Sequence, residues 1–358
     1  MNTVLIAGAT GVVGRAAVER FAREPGWRTI ALSRRKPDAA GDYQHLALDL
    51  GDAAACQTAG AGLVDVTHVV FAALHERPGL VRGWREEAQM QANLAMLRNL
   101  MSPLLAAARG LRHVTLLQGT KAYGAHLHPI PVPAREDAPR DPHANFYWLQ
   151  EDWLRAAQAG RDWHFTIFRP QIVFGHALGS PMNLLAALGA WAALCREQGQ
   201  PFSYTGGAPY LCEAIDADLL AEALLWATQA PGARGQTFNI ANGDVFRWPD
   251  IWPAIARDLA VEPGEARPLF LSQEAPRREA QWQAIVQRHG LQPTSLQSLV
   301  GDSFHYADFV LAPKQTEPPP PVLLSTVKLR QAGFAPCRDT LAMFADWFGR
   351  LRAMRLLP

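Results

Sequence analysis

Residues 3 to 14 read Thr-Val-Leu-Ile-Ala-Gly-Ala-Thr-Gly-Val-Val-Gly. Thr3 to Ala7 form a short run, almost wholly apolar and partly β-branched, the pattern of a parallel strand buried on both faces. Gly8, Gly11 and Gly14 follow with G-x-x-G-x-x-G spacing, and a helical stretch, Arg15 to Ala22, opens behind them. At this spacing Gly8 allows a tight strand-to-helix turn, Gly11 lets backbone approach a pyrophosphate, and Gly14 lets the helix pack on the strand. A helix N-terminus at this point offers free N–H groups and a positive dipole end to phosphates. Three glycines so spaced also occur in plain turns; the strand before and the helix after turn the pattern into a dinucleotide site.

The chain then alternates strands and helices. Strands are expected at Arg28–Ser33, His45–Leu48, Val66–Ala73, His113–Leu117, His164–Phe168 and, late, Gln236–Ile240. A long helix, Val81 to Ala108, is interrupted only by Pro103, and another opens near Asn145. Such alternation defines an α/β fold, a Rossmann-type doubly wound parallel sheet. Beyond residue 176 the pattern becomes helical, with an Ala/Leu helix over Met182–Cys195 and an aromatic one over Leu341–Leu351. We therefore expect an NADP-binding domain over 1–175 with later contributions from about 203–245. A smaller, mostly helical substrate lobe would comprise 176–202 and 246–358. The proline run Pro318 to Pro321 reads as a stiff linker.

Strand two ends in Ser33-Arg34-Arg35-Lys36, where a site for the unphosphorylated dinucleotide would carry an acidic residue on the ribose 2′-hydroxyl. A carboxylate repels a 2′-phosphate and arginine pairs with it; such a run is also common as a solvated basic loop, but its place after the glycine motif makes Arg34 and Arg35 the expected clamp and NADPH/NADP+, over NAD, the expected cofactor. Asp49, just past strand three, either bonds the adenine edge or makes an ordinary turn. The end of strand four, through Ala73 and Leu74, should overlie the cofactor.

Composition narrows the class. The 358 residues are 49% hydrophobic and 19% charged with a net charge of +1, which gives no footing for nucleic acid. The four cysteines are scattered without a C-x-x-C, so neither a zinc site nor a disulfide framework is expected, and a reduced, cytoplasmic protein is the default. A first strand beginning at residue 3 leaves no room for a signal peptide, and the lack of a long apolar run argues against a membrane span. His126, His128 and His143 read as exposed loop residues that make no metal constellation.

A nicotinamide site needs an acid at the reacting oxygen. The common solution, Tyr-x-x-x-Lys on one helix, is absent: none of the six tyrosines has lysine four residues on, and Tyr147 has Glu151 there. Yet Tyr147 stands where the helix after strand five begins and Lys121 at the end of strand five, so both fall at the carboxyl edge of the sheet. Tyr123 is the rival tyrosine, or a residue that fixes the loop.

These blocks resemble the progesterone 5β-reductase and iridoid synthase family of the extended short-chain dehydrogenases, in which the motif is split in this way. The resemblance runs through Gly8 to Gly14, Ser33-Arg34-Arg35, Gln118 to Gly124, Asn145-Phe146-Tyr147-Trp148, Arg169 to Gly175, Ser180 to Asn183 and the unusual Asn242-Gly243-Asp244-Val245-Phe246-Arg247-Trp248. It implies NADPH-dependent 1,4-reduction of enones, with Lys121 and Tyr147 catalytic and the small-molecule enone as substrate, in a possible homodimer. It also implies cofactor contacts from Thr10, Gly11, Val12, Val13, Arg34, Arg35, Asp49, Leu50, Ala73, Leu74, Gln118, Val173, Ser180, Pro181 and Met182. The family's pocket phenylalanine falls within Ser303 to Asp308, so Tyr306, its closest match, and Phe304 are expected to line the substrate site. Departures are Leu117 and Ala122 in the lysine loop, and a Lys314–Pro321 stretch that looks inserted. Two other readings stay open: a sugar-nucleotide epimerase or dehydratase, and a non-catalytic NADP-sensing regulator on the same fold.

Overall fold

The computed structural model describes residues 1–77, 80–292 and 295–358. Its framework is a seven-stranded sheet built from β1 (Asn2–Ala7), β2 (Trp27–Ser33), β3 (Gln44–Ala47), β4 (His68–Phe71), β5 (His113–Leu117) and β6 (His164–Pro170) with a late strand. Short pieces β7 (Ile172–Phe174), β8 (Phe202–Ser203) and β9 (Ala214–Asp216) precede that last strand, β10 (Gln236–Ile240). The order is β10-β6-β5-β4-β1-β2-β3 and every neighbouring pair is parallel. Strand order reverses between β1 and β4, so a crevice opens at their carboxyl ends.

The apolar runs are explained by two-sided burial. Leu5 and Ala7 face a core shared with Leu97, Leu100 and Met101, while Val4 and Ile6 face one shared with Val18, Phe21 and Leu220. The first layer consists of α2 (Ala53–Ala61), α3 (Glu87–Ala107) and α4 (Phe146–Gln158); the second contains α1 (Val12–Ala22) and α6 (Ala217–Gln229). A third core joins α5 (Leu184–Glu197), α7 (Trp248–Asp258) and the helices Ser303–Leu311 and Thr340–Ala353. This helical lobe stands over the sheet's carboxyl edge and reaches Val12 and Ala16 of α1.

Three sequence expectations need correction. The long helix starts at Glu87, not Val81; residues 80–85 form a separate 3-10 turn, closed by the Glu86 N–H on the Gly83 carbonyl. Gly83 costs the helix conformational entropy, and its lack of a Cβ admits the Gln89 amide, which would lie 2.3 Å from one. Pro103 does not interrupt α3; it packs on Gly60 of α2, where a Cβ would lie 2.6 Å from it. Residues 319–321 are not a free linker, since they wall the central cleft.

Gly14 has the least room of the three glycines. A Cβ there would sit 2.1 Å from the Gly8 carbonyl oxygen, a backbone atom that cannot swing aside. Gly14→Ala should therefore cost about 1–3 kcal/mol of stability, read as a fall in Tm, and weaken dinucleotide binding because the turn itself must move. An unchanged Tm together with unchanged binding would show that the turn is not so tight.

Two buried histidines make the sheet acid-sensitive. Burial, then neighbouring His68, pushes His113 down to about 3, and burial with Arg112 brings His68 down to about 4. Thr166 gives its hydroxyl proton to the Ala233 carbonyl at 2.7 Å, so His113 Nε2 must carry the proton it shares with Thr166 at 2.9 Å. The unfolded chain binds these protons near the ordinary 6.5, so stability is lost as pH falls from there towards 3. Tm should decline across that window, and His113→Gln should flatten the decline; a profile identical to wild type would clear His113 of any part in the acid sensitivity.

Candidate active site

The crevice at the strand-order reversal is a cleft of about 1040 Å³. One end is built on β1, β2 and β3. Gly8 takes the left-handed conformation (φ +85°), and a Cβ there would lie 2.6 Å from the Ala72 carbonyl oxygen. Gly11 begins α1 with no side chain capping the helix and no acidic residue in the first turn. Those N–H groups face the cleft as an uncompensated positive end, which suits a pyrophosphate. Gly8, Thr10, Gly11, Val12 and Val13 line the space; Gly14 lies beneath it, against Gly8.

Ser33, Arg34, Arg35, Asp49 and Leu50 continue this end. Ser33 Oγ donates to the Arg35 carbonyl at 2.6 Å and fixes the turn. Arg34 and Arg35 are exposed, and neither forms an ion pair among the described residues, so both guanidinium groups are free for an anion. The loop is anchored by Asp38, which accepts from Arg15 Nε at 3.0 Å and meets His176 Nε2 at 2.6 Å. Burial raises the Asp38 carboxyl, but the His176 bond and the charges of His176 and Arg15 outweigh it and bring it down to about 2. Asp49 Oδ1 accepts from the Gly51 N–H at 2.9 Å, the turn bond, while the residue still lines the cleft.

The other end is built on β4, β5 and α4. Ala73 and Leu74 leave β4 along the cleft. Gln118 is buried; it donates to Glu151 Oε2 at 2.8 Å and accepts from Arg169 Nε at 2.8 Å, tying β5 and β6 to α4. Lys121 lies in a 3-10 turn, Thr120–Tyr123, directly after β5. Asn145 caps α4 by accepting from the Tyr147 N–H at 3.0 Å and donates to the Lys121 carbonyl at 3.1 Å, so one side chain sets both residues. The Lys121 ammonium is 6.0 Å from the centre of the Tyr147 ring. Burial lowers Lys121 to about 8 with Glu76 opposing. Burial, then the charge of Glu76, drives Tyr147 well above the ordinary phenol value, so it stands in the cleft as a neutral hydrogen-bond donor. Tyr123 does not compete, because its hydroxyl donates to Asn239 Oδ1 at 2.6 Å and fixes the loop.

Val173, Ser180, Pro181, Met182 and Tyr306 also line the cleft. Phe304 does not: it is buried in the helical lobe, and Phe309 takes a wall instead. His126 is half-buried in the cleft, against the expectation of exposure, and burial, then the neighbouring His143, lowers it to about 4. His143 is also half-buried, held at 2.6 Å by Asp141, whereas His128 is exposed. The proline segment is strapped on by Glu213 Oε2, which accepts from the Leu324 N–H at 2.8 Å, and by Gln171, which donates to the Val322 carbonyl at 2.6 Å. Sequence reasoning missed Glu76, Trp84, Phe309 and Glu213; no motif marks them.

The chain belongs to the NAD dependent epimerase/dehydratase family, whose model matches residues 4–241. Within that family it falls in the iridoid synthase and steroid 5β-reductase branch: it is 30% identical to the (S)-8-oxocitronellyl enol synthase of Antirrhinum majus over 100% of this chain and 93% of the relative. It is 29% identical to the 3-oxo-Delta(4,5)-steroid 5-beta-reductase of Arabidopsis thaliana, with the same shares covered. The fold is that of the NAD-bound short-chain dehydrogenase/reductase superfamily protein from Agrobacterium tumefaciens (TM-score 0.64, 16% identity, 99% of this chain and 98% of that one). It is also that of UDP-glucose 4-epimerase from Thermotoga maritima (TM-score 0.66, 14% identity, 99% of each chain).

Proposed function

We propose that the protein reduces the C=C bond of activated enones with NADPH. The observation that carries this is a neutral, buried phenol, Tyr147, paired with an ammonium from a different element, Lys121, at the end of the cleft opposite the free Arg34 and Arg35. The cleft residues fit a phosphorylated dinucleotide: the uncapped α1 terminus for the pyrophosphate, Arg34 and Arg35 for the 2′-phosphate, and Ala73, Leu74, Val173 and Ser180 to Met182 along its length. Bound NADPH would supply a hydride to the β-carbon of the enone. As that carbon gains the pair, the π electrons of the C=C move and the carbonyl oxygen becomes an enolate. Tyr147 donates a hydrogen bond to this oxygen, and Lys121 adds positive charge beside it; both act more strongly on the enolate than on the ground-state ketone. A proton from solvent water reaches the α-carbon as the enolate collapses, which completes the saturated ketone and leaves Tyr147 protonated.

The cleft also argues against a sugar nucleotide as substrate. Among the described lining residues, Lys121 is the one Lys or Arg outside the Arg34–Arg35 end, which leaves a second diphosphate without a clamp. The substrate end has aromatic walls in Trp84, Phe146, Tyr306 and Phe309, and its other charged groups, Glu76 and Glu213, are acidic and would repel a diphosphate. We retain the division into a nucleotide part, 1–175 with 203–245, and a substrate part, 176–202 with 246–358. It is supported by β10 and α6 packing with the sheet. A cytoplasmic homodimer completes the reading. No helix among the described residues is long and apolar enough to cross a membrane.

The test is cofactor consumption with a panel of enones, from cyclohexenone to progesterone to 8-oxogeranial, with NADH in parallel. Turnover of at least one enone, faster with NADPH than NADH, is expected. Tight NADPH binding with no turnover across the panel would favour a regulator.

A further inference from the structure

Glu76 belongs to no motif, and nothing in the reaction as described uses it. It lies in the loop after β4, with its side chain 4% exposed, at the same end of the cleft as Lys121 and Tyr147. Its carboxylate is divided in function. Oε2 accepts from Trp84 Nε1 at 3.1 Å and from Gln89 Nε2 at 2.7 Å. Oε1 is buried, has no hydrogen-bond partner among the described residues, and stands 3.9 Å from Lys121 Nζ. The bond to Trp84 also turns the indole so that its face, 3.9 Å away at the centroid, covers the same ammonium. Gln89 is in turn fixed by the Arg77 N–H at 3.1 Å, so the first turn of α3 sets the carboxylate.

We propose that Glu76 is a positioning residue for the enone reduction, holding the Lys121 ammonium charged and in place beside Tyr147 by its free oxygen and through Trp84. This rests on the function proposed above. The arrangement holds the ammonium by charge and by a π face without using its hydrogen bonds: Lys121 Nζ makes none among the described residues, so its three donors stay available to bound molecules. Among the described residues, the groups facing Lys121 are Glu76, Trp84, Tyr147 and His126; Tyr306 and Arg169 act further on Tyr147. Glu76 supplies the one negative charge in that set. Burial drives Lys121 towards its neutral form and Glu76 opposes this, while Lys121 opposes the same effect of burial on Glu76. Each keeps the other ionised.

The experiment compares wild type, Glu76→Gln and Glu76→Asp in two measurements. One is the pH dependence of Lys121 acetylation by acetic anhydride in the ligand-free protein, read by peptide mass spectrometry. The other is the pH profile of kcat/KM for NADPH-dependent cyclohexenone reduction. In Glu76→Gln the labelling midpoint should fall by about one unit or more from its value near 8. The alkaline limb of kcat/KM should fall with it, and lost activity should return on acidification; Glu76→Asp should recover part of both shifts. A merely structural role would lower activity at every pH and leave the midpoint in place. A midpoint within about 0.3 unit of wild type overturns the proposal. If the labelling shift appears but no enone is turned over, the reductase reading fails and the Glu76–Lys121 coupling stands. If enones are reduced without the shift, the coupling fails alone. Should Glu76→Gln not fold, Lys121→Met provides the reciprocal test: Glu76 without its cation should show a carboxylic-acid infrared band at neutral pH that wild type lacks, and absence of that band also overturns the proposal.

Discussion

Replacing Tyr147 by phenylalanine is expected to lower kcat by about 10²–10³-fold, the usual cost of removing one donor from a developing oxyanion. The substitution deletes one hydroxyl and little else. The ring packs with Phe146 at a centroid distance of 4.4 Å within a small buried cluster that includes Met90, Ala122 and Trp148, and that packing remains. NADPH binding should hold to within about threefold, because the pyrophosphate and 2′-phosphate contacts lie at the other end of the cleft. The same chemistry fixes a pH dependence. Lys121 loses its proton near 8, so kcat/KM should decline above that pH in wild type. The kinetics of Tyr147→Phe, with binding measured separately by fluorescence, decide the matter: a kcat close to wild type would transfer the role of acid to another group.

Replacing both Arg34 and Arg35 by alanine should be nearly as damaging, in a different parameter. Each free guanidinium that pairs with a phosphate is worth about 1.5–3 kcal/mol, so losing both should weaken NADPH by about 10²-fold or more. NADH has no 2′-phosphate and should bind the variant about as it binds wild type. The loop itself should persist, because the hydrogen bonds that shape it run through Ser33 and Asp38 rather than through the arginine side chains. Dissociation constants for both cofactors, at low and raised salt, test this. A variant that loses NADPH and NADH equally would mean that these arginines shape the loop and do not read the phosphate.

The sheet was legible because its central strands β1 and β4 are apolar almost throughout, and β5 and β10 lie where the sequence puts them. Asn145 and Asn183 cap α4 and α5 through their side chains, so those helix starts were also close to readable. The turn at 80–85 was not, because the residues around Gly83 carry no recognised breaker beyond one glycine in a helical context. Phe304 was misplaced for a reason of register. Within Ser303–Leu311, Phe304, Ala307 and Leu311 share the inward face at helical spacing, and Tyr306 and Phe309 share the face towards the cleft. A block match ignores that period. Glu76 and Trp84 were invisible because they meet Lys121 only after a loop and a 3-10 turn fold over the cleft; their chemistry lies in a tertiary juxtaposition rather than a spacing.

The most direct measurement is product analysis after reduction of cyclohexenone with NADPH deuterated at its transferable position. Hydride delivery to the C=C bond predicts one deuterium on the β-carbon and an intact carbonyl. Deuterium on the former carbonyl carbon, in an allylic alcohol, would contradict it by showing a carbonyl reductase in place of an enone reductase.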